Sequence, residues 1–175
     1  MENAEITILR LGHRPSRDKR ITTHCALVAR ALGAKKIIIS GEEDAELVLR
    51  LNALAKKWGG KFKAEYGKDW KKTIREFEGT KIHLTMYGED FRKVISKLRR
   101  KKANSGVLLV VGAGKVPREL YDLCDYNAAV GSQPHSEVAA IALFLYELCN
   151  RKLAGFFGGK IKIIPSARGK NVKNV

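Results

Sequence analysis

The chain has 175 residues, 45% of them apolar, and carries 34 Lys and Arg against 18 Asp and Glu, a formal charge of +16. That length and apolar content fit one domain with a real core and exclude a disordered chain. The unbalanced positive charge points to a polyanionic partner, nucleic acid before anionic membrane, since a heat-adapted surface raises both signs together.

Taken in chain order, Glu5–Leu11 alternates and is rich in Ile and Leu, as a first strand is. A polar, basic loop, GHRPSRDKR, follows. Thr22 or Thr23 then caps a helix carrying Ala26, Leu27, Ala29 and Leu32, which Gly33 ends. Lys35–Ser40 reads as a buried strand, and Glu42–Trp58 has helical periodicity until Gly59 and Gly60 stop it. Phe62–Tyr66 is a short strand and Trp70–Phe77 a short helix. Lys81–Met86 is a strand that turns at Tyr87 and Gly88, and Phe91–Arg99 is a helix running into the basic cluster Arg99–Lys102. Val107–Val111 and Asn127–Val130 are two further apolar strands, each followed by a Gly-bearing loop and a helix-forming segment. Residues 155–159 break the chain before a final strand, Lys160–Pro165, and a basic tail. Strands alternating with helices, with no repeat or long linker, predict a single α/β domain over residues 1–175, its mostly parallel sheet covered by helices on both faces.

Cys25, Cys124 and Cys149 are odd in number, widely spaced and without zinc-ligand spacing, so they read as small apolar residues in a reducing compartment, and no metal is expected. The N-terminus is polar early and basic late, unlike a signal peptide, and the longest apolar run, Val138–Leu145, is too short to span a bilayer. A cytoplasmic protein free of membrane is the expectation.

In an open α/β sheet, small ligands bind at loops on the carboxyl ends of strands. Two such loops lie close together here. The first, Gly112, Ala113, Gly114, Lys115 and Val116, is no phosphate loop, because Val116 and Pro117 follow the Lys where a hydroxyl is needed. It is no dinucleotide fingerprint either, since Pro117 stands where a helix-packing Gly belongs. What remains is backbone that a ligand can approach closely. The second loop runs through Val130, Gly131, Ser132, Gln133, Pro134, His135, Ser136 and Glu137, with Ser136 or Pro134 opening the next helix. Arg14, Arg17, Lys19 and Arg20 cluster beside His13 and His24, and arginine forks match phosphate oxygens. Trp70 and Tyr87 read as packing residues rather than base-stacking surfaces.

RLGHRPSRDKRITTH, KIHLTMYG, VVGAGKVPRELYDLCDYNAAVGSQPHSEVAA and the closing IKIIPSARGK, taken in order, resemble the archaeal tRNA cytidine 2′-O-methyltransferases that act at position 56 in the T-loop. These belong to the SPOUT class, near the SpoU-type methylases. The resemblance implies a homodimer of α/β subunits with a C-terminal trefoil knot, binding S-adenosylmethionine and a tRNA substrate. The methyl donor then falls to Leu84, to Gly112, Ala113, Gly114, Lys115 and Val116, and to Val130 through Glu137. Arg20 matches the catalytic arginine of the first SpoU motif, and it suits orienting the ribose hydroxyl or a phosphate better than taking a proton. His24 and His135 stand as alternative bases. Arg14, Arg17 and Lys19, with Arg99–Lys102, are the tRNA-gripping residues. The chain departs from the SpoU pattern at Gly114, where Glu is usual, and near His135, where Asn is usual. Two rivals stay open: a methylase of this fold acting elsewhere on RNA, and a non-catalytic basic RNA-binding module.

Overall fold

The computed structural model describes residues 5–100, 106–112, 114–153 and 155–175. Its elements are β1 (Ile6–His13), α1 (Pro15–Ala31), β2 (Lys36–Gly41), α2 (Ala45–Trp58), β3 (Lys63–Tyr66), α3 (Trp70–Glu76), β4 (Gly79–Asp90), α4 (Phe91–Arg100), β5 (Gly106–Gly112), α5 (Glu119–Leu123), β6 (Tyr126–Ala129), α6 (Glu137–Leu148), β7 (Ile161–Ile164) and β8 (Asn171–Asn174).

Six strands make one sheet in the order β3-β2-β1-β5-β4-β6, with every neighbouring pair parallel. β5 sits between β1 and β4, pairing Ile6 with Val107 through Leu11 with Gly112 on one side and Gly79 with Gly106 through His83 with Val110 on the other. Val107–Val111 are buried on both faces, as a strand sandwiched between two helical layers must be. Val107, Leu109 and Val111 enter the larger core with Cys25, Leu47, Phe91 and Phe144 from α1, α2, α4 and α6. Leu108 and Val110 enter the smaller one with Ile74 of α3 and Leu120 of α5.

Three elements differ from the sequence reading. The basic segment after β1 is helix rather than loop: β1 runs to His13, Arg14 is the N-cap, and Pro15 opens α1. Proline fits that first position because its fixed φ is helical and its missing N–H has no helical partner there. β4 does not turn at Tyr87 and Gly88. It pairs with β6 at Ile82–Leu84 and again at Glu89–Asp90, and the residues between bulge out of register. The closing basic tail is a strand: β8 pairs antiparallel with β7 in a separate two-stranded sheet, so neither extends the main one. That hairpin meets the body of the fold where Gly59 bridges Phe157 and Gly158. Three sequence readings recur: helix α2, now with Asp44 as its N-cap accepting from Leu47 N–H, helix α6, and the strand before each glycine loop.

β2 ends on a glycine for a steric reason. Gly41 has φ +135, and a Cβ there would lie 2.4 Å from the backbone N and O of His13. Gly41→Ala is therefore expected to destabilise the fold by more than about 2 kcal/mol, read as a lower urea midpoint with an unchanged slope.

Candidate functional site

All six parallel strands point the same way, so the loops after β1, β2, β4, β5 and β6 gather on one edge. A cavity of about 790 Å³ opens there, lined by His83–Tyr87 from β4, by Gly112, Gly114, Lys115 and Val116 after β5, and by Pro134, His135 and Glu137 before α6. Leu84, Met86, Val111, Val116 and Ala140 make much of its wall apolar. The loops after β5 and β6 both border this cavity because β4, which lies between β5 and β6 in the sheet, contributes its wall between them. Val116 packs its side chain directly over Gly112, so a Cβ there would force Val116 to shift.

A fixed polar network supports one wall. His83 is fully buried, and its Nδ1 lies 2.9 Å from Oδ1 of Asn127. Asn127 donates from Nδ2 to the carbonyl of Tyr121 at 3.0 Å, and the Tyr121 hydroxyl lies 3.1 Å from Oγ1 of Thr85. The Tyr121 ring meets His83 edge-on at 4.8 Å. Burial pushes the His83 pKa down, against the opposing pull of Asn127, so the ring is neutral near pH 7.

Arg10 is buried without any exposure on β1, facing α1 and α6. Its Nη2 lies 3.6 Å from Oε1 of Glu137 at the start of α6, and its Nη1 reaches the Leu11 carbonyl at 3.5 Å. Nε and Nη2 have no hydrogen-bond partner among the described residues. A charge held that deep ties β1 to the mouth of the cavity through Glu137, because the alternative is a buried unpaired ion. The thiol of Cys25 is pushed up to about 12, first by burial and then by Glu137, so it is unreactive.

Across the Gly114–Pro117 loop lies a second cavity, of about 550 Å³, above the ends of β1 and β2. His13 and Arg14 form part of its wall, with Gly41, Glu42, Lys68 and Trp70. His13 Nδ1 is 2.9 Å from Thr22 Oγ1, and Nε2 is 3.6 Å from Asp44 Oδ2. The line-up has the residue types of a catalytic triad, but His13 and Thr22 are both wholly buried, so it fastens β1, α1 and α2 together and exposes no nucleophile. Burial, then the charge of Arg10, lowers the His13 pKa, while Asp44 opposes. Asp44 itself sits below the usual carboxylate range: burial opposes this, but Leu47 N–H, Lys19 and His13 prevail.

Of the expected ligand residues, Leu84, Gly112, Gly114, Lys115, Val116, Pro134, His135 and Glu137 line the first cavity. Val130, Gly131, Ser132, Gln133 and Ser136 do not, and Ser136 instead caps α6 by accepting from Ala139 N–H. Ala113 lies outside the described residues, as do Lys101 and Lys102 of the basic cluster. Arg14 is held by Asp18 at 2.9 Å and Lys19 by Glu46 at 2.8 Å. Arg17 and Arg20 stand exposed on α1, and Arg20 lines neither cavity. His24 is exposed farther along α1, and Arg99 donates to the Glu147 carbonyl. Trp70 is half-buried against the smaller core, whereas Tyr87, read as a packing residue, is 78% exposed. Sequence reading passed over Arg10, His83 and Asn127. The available signal was a charged or polar residue inside an otherwise apolar strand.

A family model described as tRNA ribose 2′-O-methyltransferase, aTrm56, matches residues 58–173. The chain is 53% identical over 173 residues to a tRNA (cytidine(56)-2′-O)-methyltransferase of Pyrococcus horikoshii, covering 97% of this chain and 85% of that one. It is 52% identical to the protein of the same name from Pyrococcus abyssi, covering 97% and 88%. In fold it is similar to the SpoU methyltransferase AviRb of Streptomyces viridochromogenes, solved with AdoMet, with a TM-score of 0.59, 16% identity, and coverage of 86% of this chain and 58% of that one.

His13 and His83 both have pKa values lowered from 6.5. As pH falls through about 6.5, the unfolded chain takes up protons that the folded chain refuses, so stability declines. The urea midpoint is expected to be lower at pH 5.5 than at pH 7.5, and the difference should shrink in His83→Gln.

Proposed function

The chain belongs to the tRNA (cytidine(56)-2′-O)-methyltransferase family, and from that membership we propose that it methylates the ribose 2′-oxygen of cytidine 56 in tRNA, using S-adenosylmethionine. The observation that carries this reading is the convergence of the loops after β4 and β5 and before α6 on one cavity.

The residues present fit such a donor. Apolar Leu84, Met86 and Val116 offer a slot for a flat heterocycle, glycine backbone offers close hydrogen-bonding partners, and Glu137 offers negative charge to a cation. When bound, S-adenosylmethionine supplies a methyl carbon already activated by its positive sulfur, with a neutral thioether as the leaving group. The chain's own task is then alignment of the acceptor and exclusion of water. The Thr85–Tyr121–Asn127–His83 network keeps the β4 wall in one arrangement. Arg10 holds Glu137 in place through a charge that cannot relax into water.

Arg20 is assigned to orienting the ribose hydroxyl or an adjoining phosphate, since a guanidinium keeps its proton and presents a planar fork. It lines neither cavity of its own subunit, which supports its serving the site of a second copy. α6 supports a homodimer: it is apolar almost all round, beside α1, and leaves Leu143 50% exposed with Tyr146 next to it. Arg14, Arg17 and Lys19, together with Arg99–Lys102, are assigned to tRNA phosphates. Residues 1–175 act as one SPOUT domain whose crossover from β5 past β4 to β6 is trefoil-knotted. A tRNA substrate supports a cytoplasmic location; among the described residues no helix is long and apolar enough to cross a membrane.

Tritiated methyl transfer to unmodified tRNA, followed by nucleoside mapping, tests the reading, with 2′-O-methylcytidine at position 56 expected. Arg20→Ala is expected to lower transfer about a hundredfold while calorimetry shows unchanged S-adenosylmethionine affinity. Lost affinity would reassign Arg20 to the donor cavity or the fold. Leu143→Asp is expected to shift the protein from dimer to monomer in sedimentation.

A further inference from the structure

The cavity above β1 and β2 adjoins the one assigned to the methyl donor and shares Gly114, Lys115 and Val116 with it. We propose that it holds the acceptor nucleoside, a cytidine drawn out of its RNA stack, with Trp70 as the stacking surface and Glu42 and Lys68 reading the pyrimidine edge. The proposal rests on the methyl-transfer reading and adds a binding site to it.

Position comes first. A displacement at carbon needs its reacting atoms within about 3.5 Å and in line. Donor and acceptor must therefore occupy adjoining spaces, and here one short loop is the partition. The loop is thin at Gly114, where a Cβ would meet nothing within 4 Å. The acceptor side is lined in part by Gly12 and Gly41 at the ends of β1 and β2, which leave bare backbone as part of its floor. A flat base can approach such a floor closely.

The lining then has the chemistry of a base pocket. Trp70 is half-buried, packs against the smaller core as Val116 does, and lines the cavity, with the Lys71 ammonium 5.6 Å from its ring centroid. Extruded bases are commonly gripped between aromatic and apolar side chains and read at their pairing edge. Glu42 and Lys68 are exposed on the rim of this cavity, and neither has an ion-pair partner among the described residues. Nearby cations are neutralised: Lys19 by Glu46, and Lys71 and Arg75 by Glu119. A carboxylate and an ammonium on one pocket, neither in an ion pair among the described residues although Glu42 also feels the charge of Arg14, complement cytosine, whose amino group donates and whose N3 and O2 accept. Uracil sets a carbonyl where the amino group was and meets the carboxylate with its lone pairs. Arg14 lines the same cavity, its guanidinium fixed by Asp18, and its fork suits a flanking phosphate.

The test uses the full-length protein and two tRNA transcripts, with cytidine or uridine at position 56, in steady-state methyl transfer. Trp70→Leu should lower kcat/KM for the cytidine transcript at least about tenfold, with donor affinity by calorimetry unchanged. Glu42→Gln should compress the preference for cytidine over uridine by about tenfold, and Lys68→Met should raise KM with little change in kcat. Glu42 and Lys68 are exposed, so their variants decide the matter should the Trp70 variant fail to fold. Wild-type transfer and wild-type discrimination in both rim variants would overturn the proposal. Absence of any transfer by the unmodified protein would instead overturn the methylase reading on which it rests.

Discussion

β5 is hydrogen-bonded on both sides and buried on both faces, and the point where it leaves the sheet sets the geometry of everything at the carboxyl edge. A strand confined this way cannot slip by one residue, since every side chain would change face and Leu108 or Leu109 would enter the wrong core. Gly112 therefore emerges at a fixed height between the ends of β1 and β4. The loop that follows becomes a partition with one space on the β4 side and one on the β1 side. The chemistry of alignment begins with that rigid exit.

Polar groups buried near this edge follow the same logic. Arg10, His13, Asp44 and His83 are all buried, Arg10 and His83 within strands β1 and β4, His13 at the end of β1 and Asp44 just before α2. Each would be costly in an unsupported interior. Each is held by a partner from a different element: Arg10 by Glu137 of α6, His13 by Thr22 of α1 and Asp44 before α2, and His83 by Asn127 of β6. The cost is offset by fixed orientation, since these contacts tie three helices and a strand to the carboxyl edge of the sheet.

How much of this was legible in the sequence depends on whether the signal is local. Apolar runs such as Val107–Val111 and the periodicity of Ala45–Trp58 announce their elements because burial on one face or two is written along the segment itself. The glycine loops were legible for the same reason, and eight of their expected ligand residues, with Leu84 among them, do line one cavity. The start of α1 was hidden because its first turns are basic and polar, and only Pro15 hinted that a helix began there. β8 was hidden by its charges: Lys173 sits directly opposite Lys162 in the hairpin, a pairing no propensity favours. The second cavity was illegible because it needs the strand order. No short-range pattern says that the end of β2 and the turn before α3 stand beside the loop after β5.

That strand order also bears on how the protein is made. β1 finds β2 within the first forty-odd residues, but its other edge waits for Val107 through Gly112. Until the ribosome has delivered that stretch, an apolar edge from Ile6 to Leu11 has nothing to zip against, which is the situation that slows folding and invites aggregation. The distant pairing that completes the carboxyl edge thus commits every newly synthesised chain to an interval of exposure, and premature termination before β5 would leave a sheet open through its middle.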